Sequence, residues 1–336
     1  MADIQVAILG LGRLGASMGL ALKRHTKNGG AHNFIITGYD AVAKNSKTAK
    51  DIGAIDQHKG RPAETVRDKN IVVIAMPYGE VEAIYSLIGK SLTRGTVVID
   101  LSALKQNAMQ SAQKHMPEGT HLVCGAAIYN AAYLFNSIDH TDKATADLFD
   151  KGVMMLMPGV RCAEQAITLA NDLSAIIGAT PHFFDPAEHD ALVSAVEALP
   201  SLLGVTLFAM LQGNNGWDDM RRLTNPAFGM VTHFLFDRHP DDLSRLWLDN
   251  REELVRHING FIKSLTTMRD LVQDNDRDSL SALLESKASS YEQWINQRHK
   301  QNWDEDKTRV TTPSFGDTMG GAMFGGLFRR KDDDDK

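Results

Sequence analysis

The residues best placed for chemistry come first in the chain. Gly10-Leu11-Gly12-Arg13-Leu14-Gly15 has the Gly-x-Gly-x-x-Gly spacing of a turn that seats a dinucleotide pyrophosphate. In such a turn Gly10 allows the tight bend, Gly12 lets backbone approach the phosphates, and Gly15 lets helix and strand pack closely. The spacing is weak evidence alone. Here an apolar strand pattern, Ile4–Leu9, precedes it and an amphipathic helix pattern to about Arg24 follows. Asp40 closes the next apolar run, where a carboxylate would accept hydrogen bonds from the adenosine ribose. That favours NAD. Lys44 and Lys47 lie just beyond and leave NADP open, although solvated helix lysines are the plainer reading. Met76-Pro77 ends a central strand and should border the dinucleotide, because ligands gather outside the carboxyl ends of parallel strands.

Further along, Lys105 follows the fourth clear strand and is expected to point into a cleft, as a general acid or an anion holder. The alternative is an ordinary first-turn lysine in solvent. Ser102 and Tyr129 could hydrogen-bond a substrate oxygen, against the reading of ordinary loop polar residues. His189 lies just after a helix start and His233 within a helical stretch. Each is a candidate for contacting substrate, or a structural histidine. His189-Asp190 and Asp139-His140 lack a third ligand at metal spacing, so no metal is expected.

These residues need a scaffold, and the periodicity supplies one. Apolar runs at 4–9, 34–40, 71–77, 97–100, 121–124 and 153–156 alternate with helical stretches. Near-continuous apolar strands between helices predict a doubly wound, mostly parallel sheet covered on both faces, an α/β Rossmann domain over residues 1–184. Asp185-Pro186-Ala187-Glu188 then reads as a helix start, with Asp as N-cap, Pro at the first helical position and an acid three residues on. Helical patterns at 188–213, 241–272 and 276–298 follow, which predicts an all-α second domain over 185–305. The stretch 191–211 is apolar nearly all round, as in a core or subunit interface, so a homodimer through the helical domain is expected. Residues 306–336 have no period and are expected to be a mobile tail; the terminal Asp-Asp-Asp-Asp-Lys is left out of the fold argument.

Bulk properties narrow the function. The chain has 336 residues, 43% hydrophobic and 23% charged, with a net charge of −6, so nothing suggests the basic face of a nucleic-acid binder. No apolar run reads as long enough to span a membrane. The N-terminus enters a strand without a charged and apolar leader, and two cysteines make no disulfide framework. A cytoplasmic protein with a small-molecule substrate is the expectation.

Several segments together resemble the prephenate/arogenate dehydrogenase family of tyrosine biosynthesis. They are Ile8-Leu9-Gly10-Leu11-Gly12-Arg13-Leu14-Gly15, Thr37-Gly38-Tyr39-Asp40, Thr96-Val97-Val98-Ile99-Asp100 and Ala146-Asp147-Leu148-Phe149. Asp185-Pro186-Ala187-Glu188-His189-Asp190 and Trp247-Leu248-Asp249-Asn250-Arg251-Glu252 carry it to about residue 300. The resemblance implies a Rossmann domain, a helical dimerisation domain, and oxidative decarboxylation in which hydride passes from a ring carbinol to NAD(P)+. The departures fall where that chemistry should sit. Gly125-Ala126-Ala127-Ile128-Tyr129-Asn130 puts Ala126 at the place of the family's catalytic histidine, with extra residues beyond. Glu197-Ala198-Leu199-Pro200-Ser201 lacks two further histidines. Thr232-His233 replaces a substrate-binding Thr-Arg, and imidazole cannot form the bidentate fork of a guanidinium. In Asp100-Leu101-Ser102-Ala103-Leu104-Lys105 the lysine is kept and the serine is displaced by one position. Three readings stay open: a dehydrogenase of this type with a diverged pocket, a dinucleotide-binding sensor or scaffold without turnover, and a dehydrogenase of another small hydroxy or keto acid.

Overall fold

A computed structural model describes residues 2–136 and 138–301. The tail expected at 306–336 lies outside the described residues. Among the described residues eight strands form one sheet: β1 (Ala2–Leu9), β2 (His32–Tyr39), β3 (Gln57–His58), β4 (Ile71–Ile74), β5 (Val97–Asp100), β6 (His121–Ile128), β7 (Gly152–Pro158) and β8 (Ala179–Phe183). Their order is β3-β2-β1-β4-β5-β6-β7-β8. The first six are mutually parallel, in the doubly wound Rossmann order. Strand order reverses between β1 and β4, so the crevice outside their carboxyl ends opens beside the glycine turn.

β7 does not continue the parallel series that its apolar run suggested. It pairs antiparallel with β6, with Ala126 opposite Met155, and β8 lies parallel to β7. An antiparallel return needs no crossover helix. The connection after β6 therefore both leaves and returns at the carboxyl end of β6, on the same edge as the glycine turn. β8 and the two-residue β3 were not legible as strands.

The helices of the α/β part are α1 (Arg13–Lys27), α2 (Ala43–Asp51), α3 (Pro62–Thr65), α4 (Val81–Ile88), α5 (Lys105–His115) and α6 (Glu164–Ile176). They cover both faces. Val6, Ile8, Val73 and Ile99 pack with Ala16, Met18, Leu22 and Leu173 on one side. Ala7, Leu9, Val72 and Val98 pack with Ile84, Tyr85 and Ala108 on the other, joined there by Ala198, Leu246 and Leu254 of the helical part.

That helical part comprises α7 (Pro186–Val193), α8 (Leu199–Gln212), α9 (Trp217–Met220), α10 (Pro226–Thr232), α11 (Phe234–Asp237), α12 (Pro240–Asp249), α13 (Arg251–Gln273) and α14 (Arg277–Lys300). Asp185 caps α7, its Oδ1 accepting from the N–H groups of Ala187 and Glu188 at 2.8 and 2.9 Å. A π-turn, Ser194–Ala198, joins α7 to α8. Pro200 has no N–H to return to Val196, and the turn before it widens. The helix expected over 241–272 is two helices, broken at Asn250, whose side-chain amide donates to the Asp190 carbonyl instead of serving one continuous helix.

The run Pro186–Gln212 also corrects the reading that no segment reaches membrane-span length. It is a helix of 27 residues with a window of mean hydropathy 1.8, only 22% buried within the chain. Its acids, Glu188, Asp190 and Glu197, all lie in its first half, so the apolar window carries few charges.

Candidate active site

The glycine turn has the geometry its spacing implies. Gly10 adopts φ +89°, and a Cβ there would stand 2.2 Å from the Ala75 carbonyl oxygen. The turn thus lies directly against the end of β4, which places buried Met76 at its side and Pro77 exposed beyond. A Cβ on Gly15 would meet the Gly10 carbonyl oxygen at 2.0 Å, so only glycine permits α1 to start this close to β1. Leu14 is half-buried against the core. Asp40 directly follows β2 beside the turn: its Oδ2 accepts from Leu11 N at 2.8 Å and its Oδ1 from Val42 N at 2.8 Å. Lys44 and Lys47 are exposed on α2.

The turn and Asp40 fit a dinucleotide, with one competing feature. The connection after β6 crosses the start of α1. Asp139 Oδ1 accepts from Arg13 N at 2.9 Å, and a Cβ on Gly12 would stand 3.3 Å from the same oxygen. The Arg13 side chain, only 4% exposed, does not reach toward a ligand. Its Nη1 donates to the Asn136 carbonyl and its guanidinium lies over the Tyr133 ring, 5.1 Å from the centroid.

The match to known families settles the larger setting. Residues 18–181 match the family model for the prephenate dehydrogenase nucleotide-binding domain, and residues 185–286 match the model for its dimerization domain. The chain belongs to the prephenate dehydrogenase family. It is 22% identical over 284 residues to the prephenate dehydrogenase of Bacillus subtilis, covering 82% of this chain and 72% of that one. Its fold is similar to that of the Aquifex aeolicus prephenate dehydrogenase crystallised with hydroxyphenyl propionate and NAD+. The TM-score is 0.71, identity is 20%, and 87% of this chain and 99% of that chain are covered. Synechocystis arogenate dehydrogenase aligns with TM-score 0.62 and 16% identity over 87% of this chain and all of that one (100%).

Within this family fold the other candidate residues divide. Lys105 does not point into an open cleft, nor into solvent. It is 1% exposed, and its Nζ donates to the Ser102 carbonyl and, at 2.7 Å, to the Gly125 carbonyl. Burial lowers its pKa from the ordinary lysine value. The short reach from the first turn of α5 makes the lysine a tie between the β5–α5 loop and β6. Ser102 is buried beside it, with its backbone N–H on Asp100 Oδ1 at 2.7 Å and its hydroxyl without a protein partner. His233 serves its own helix, Nδ1 lying 2.6 Å from the Met230 carbonyl and the ring 4.1 Å from that of Phe234.

His189 is drawn toward the cofactor half by its neighbour. Asp190 Oδ1 and Oδ2 accept from Lys105 N and Gln106 N at 2.8 and 2.9 Å, capping α5 from the other domain. The same Oδ1 lies 3.0 Å from His189 Nδ1. With Nδ1–H given to the carboxylate, Nε2 carries the free lone pair. Two residues that were not expected form an ion pair near Lys105. Glu197, on the π-turn, accepts from Arg238 Nη2 at 2.9 Å. Burial alone would lower the Arg238 pKa; the Glu197 and Asp139 carboxylates outweigh it and hold the guanidinium charged. Tyr129 faces this cluster, its phenol pushed up by burial first and then by Asp139 and Glu197. Glu197 and Arg238 are 41 residues apart and share no motif, so nothing in the sequence linked them.

Proposed function

We propose that this chain is an NAD(P)-dependent oxidoreductase of the prephenate/arogenate dehydrogenase type with a diverged substrate pocket, working as a homodimer. The observation that carries this reading is the glycine turn locked against β4 and beside Asp40, in a chain matching both domains of the family. Gly10, Gly12, Leu14 and Gly15 would seat the pyrophosphate at the start of α1, where the helix dipole and free N–H groups attract anions. Asp40 would meet the adenosine ribose, which favours NAD over NADP. When bound, the nicotinamide would supply the hydride acceptor.

The chain's own groups would manage the proton and the substrate charge. Ala126 leaves no imidazole at its place near the carboxyl end of β6, and His189, oriented by Asp190, is our candidate for the base that accepts the carbinol proton. The Ser102 hydroxyl, buried and unpaired, would donate to a ligand oxygen in the same cleft. Lys105 would keep that loop in place rather than touch substrate. A cytoplasmic location agrees with a soluble biosynthetic role. The alternative reading, a dinucleotide-binding sensor without turnover, is favoured by Ala126 and by the spent side chains of Lys105 and His233. A dehydrogenase of another hydroxy or keto acid would share the same cofactor half.

The test is a panel of prephenate, arogenate and other hydroxy acids with NAD+ and NADP+, read by reduced-nicotinamide absorbance. Prephenate- or arogenate-dependent reduction, lost in His189→Ala, supports the leading reading. Cofactor binding without turnover on any substrate favours the sensor. No dinucleotide binding by the wild type, matched by Gly12→Phe, overturns both.

A further inference from the structure

The connection after β6 does more than cover the glycine turn. Thr141 Oγ1 donates to the Leu11 carbonyl at 2.7 Å, and Thr145 N donates to Ser17 Oγ at 3.0 Å. Arg13 holds the same connection through the Asn136 carbonyl and the Tyr133 ring. These bonds deliver the Asp139 carboxylate to one place. Its Oδ1 takes the Arg13 N–H at the first helical position of α1 and borders, at 3.3 Å, the space that a Cβ on Gly12 would enter. That space is what the middle glycine of the motif leaves free for a phosphate oxygen. A carboxylate oxygen on a backbone N–H at a helix N-terminus is the nearest chemical stand-in that a protein side chain offers for that oxygen.

We propose that Asp139 is an internal anion that holds the phosphate seat of the glycine turn in the cofactor-free protein, and that a dinucleotide binds by displacing it. The proposal rests on the dinucleotide reading of the turn. Because Asp139 is on the same chain, its effective concentration at the seat is high and independent of dilution. Apparent cofactor affinity is then the intrinsic affinity reduced by the fraction of molecules in which the seat is open. A single charge-assisted hydrogen bond corresponds to about a tenfold bias.

The experiment compares the dissociation constants of NAD+ and ADP-ribose, by calorimetry, for the full chain and for Asp139→Ala, Asp139→Asn and Thr141→Val. Asp139→Ala should bind both ligands about tenfold more tightly than wild type. Asp139→Asn keeps an acceptor without the charge and should gain less. Thr141→Val loosens the connection without touching the carboxylate and should also gain. ADP-ribose carries the pyrophosphate without nicotinamide, so an equal gain with both ligands places the effect at the phosphate seat. Unchanged affinity in Asp139→Ala overturns the proposal while leaving the dinucleotide reading intact, and so does a gain confined to NAD+. Absence of binding by the wild type and every variant overturns the dinucleotide reading and this proposal together.

Discussion

At the scale of single residues, the buried tyrosines of the α/β part carry a consequence for alkaline stability. Tyr85 donates its phenol to Asp100 Oδ2 and Tyr78 to Asp249 Oδ2, both at 2.7 Å. Burial first, and then these carboxylates, raise both phenols above the ordinary value of 10. A raised pKa means that the folded state binds more protons than the unfolded chain once pH exceeds 10, so stability is full below that point and is lost as pH climbs. Lys105 works the other way: its lowered pKa makes stability rise with pH toward 10.5 and level off above that value. Urea midpoints should therefore fall steeply between about pH 10.5 and 12, and Tyr85→Phe should flatten the fall. An equal slope in the variant would remove Tyr85 from the account. Residue identity alone located none of this, because a tyrosine's pKa depends on which carboxylate the fold brings to it.

At the scale of elements, the informative contact is between α5 and α7. The sequence shows a strand followed by a helix beginning near Lys105, and it shows a capped helix beginning at Asp185. It does not show that the first helix lacks a local cap. Leu104 stands at the N-cap position, and Asp190, 85 residues away, supplies the missing acceptor. Asp190→Ala should cost about 2–4 kcal/mol, because two N–H groups lose their acceptor and His189 loses its orienting partner. Denaturant unfolding measures the cost. Hydrogen exchange should show the amides of Lys105 and Gln106 exposed before the rest of α5. A cost near that of an exposed surface substitution would mean water replaces the cap. The same logic explains the break at Asn250. A helical period runs straight through it, and only the Asp190 carbonyl across the domain junction gives that side chain a reason to leave the ladder.

At the scale of the whole molecule, α13 and α14 are too bare to stand alone. Across 23 residues α13 buries only Leu254, and α14 buries no residue, while Ile262, Leu265, Val272, Leu284 and Tyr291 are exposed. Patches of this extent mark contact surfaces. With the family's dimerization domain matched over 185–286, a second copy of the chain is the proposed cover. The apolar window within 186–212, little buried within one chain, has the same need. The double substitution Ile262→Asp, Leu265→Asp should shift the protein from dimer to monomer and lower its unfolding midpoint. Analytical ultracentrifugation and thermal melts would check this. An unchanged sedimentation coefficient would place the interface elsewhere.

What the sequence determined by itself is whatever short-range physics specifies. The glycine turn needs three residues without side chains in six positions. Parallel strands need unbroken apolar runs, and a helix start needs Asp-Pro. Those local demands leave the Rossmann half, Asp40 beside the turn and the switch to helices legible. The tertiary structure decided what depends on distant partners. It turned β7 antiparallel and so swung 129–151 over the glycine turn, a choice that an apolar run of either direction allows. It buried Lys105, joined Glu197 to Arg238, and set Asp139 on the first N–H of α1. Hydrogen bonds act within a few ångströms and screened charges within about 10 Å, so the residues that matter to the cleft are those the fold brings close, wherever they lie in the chain.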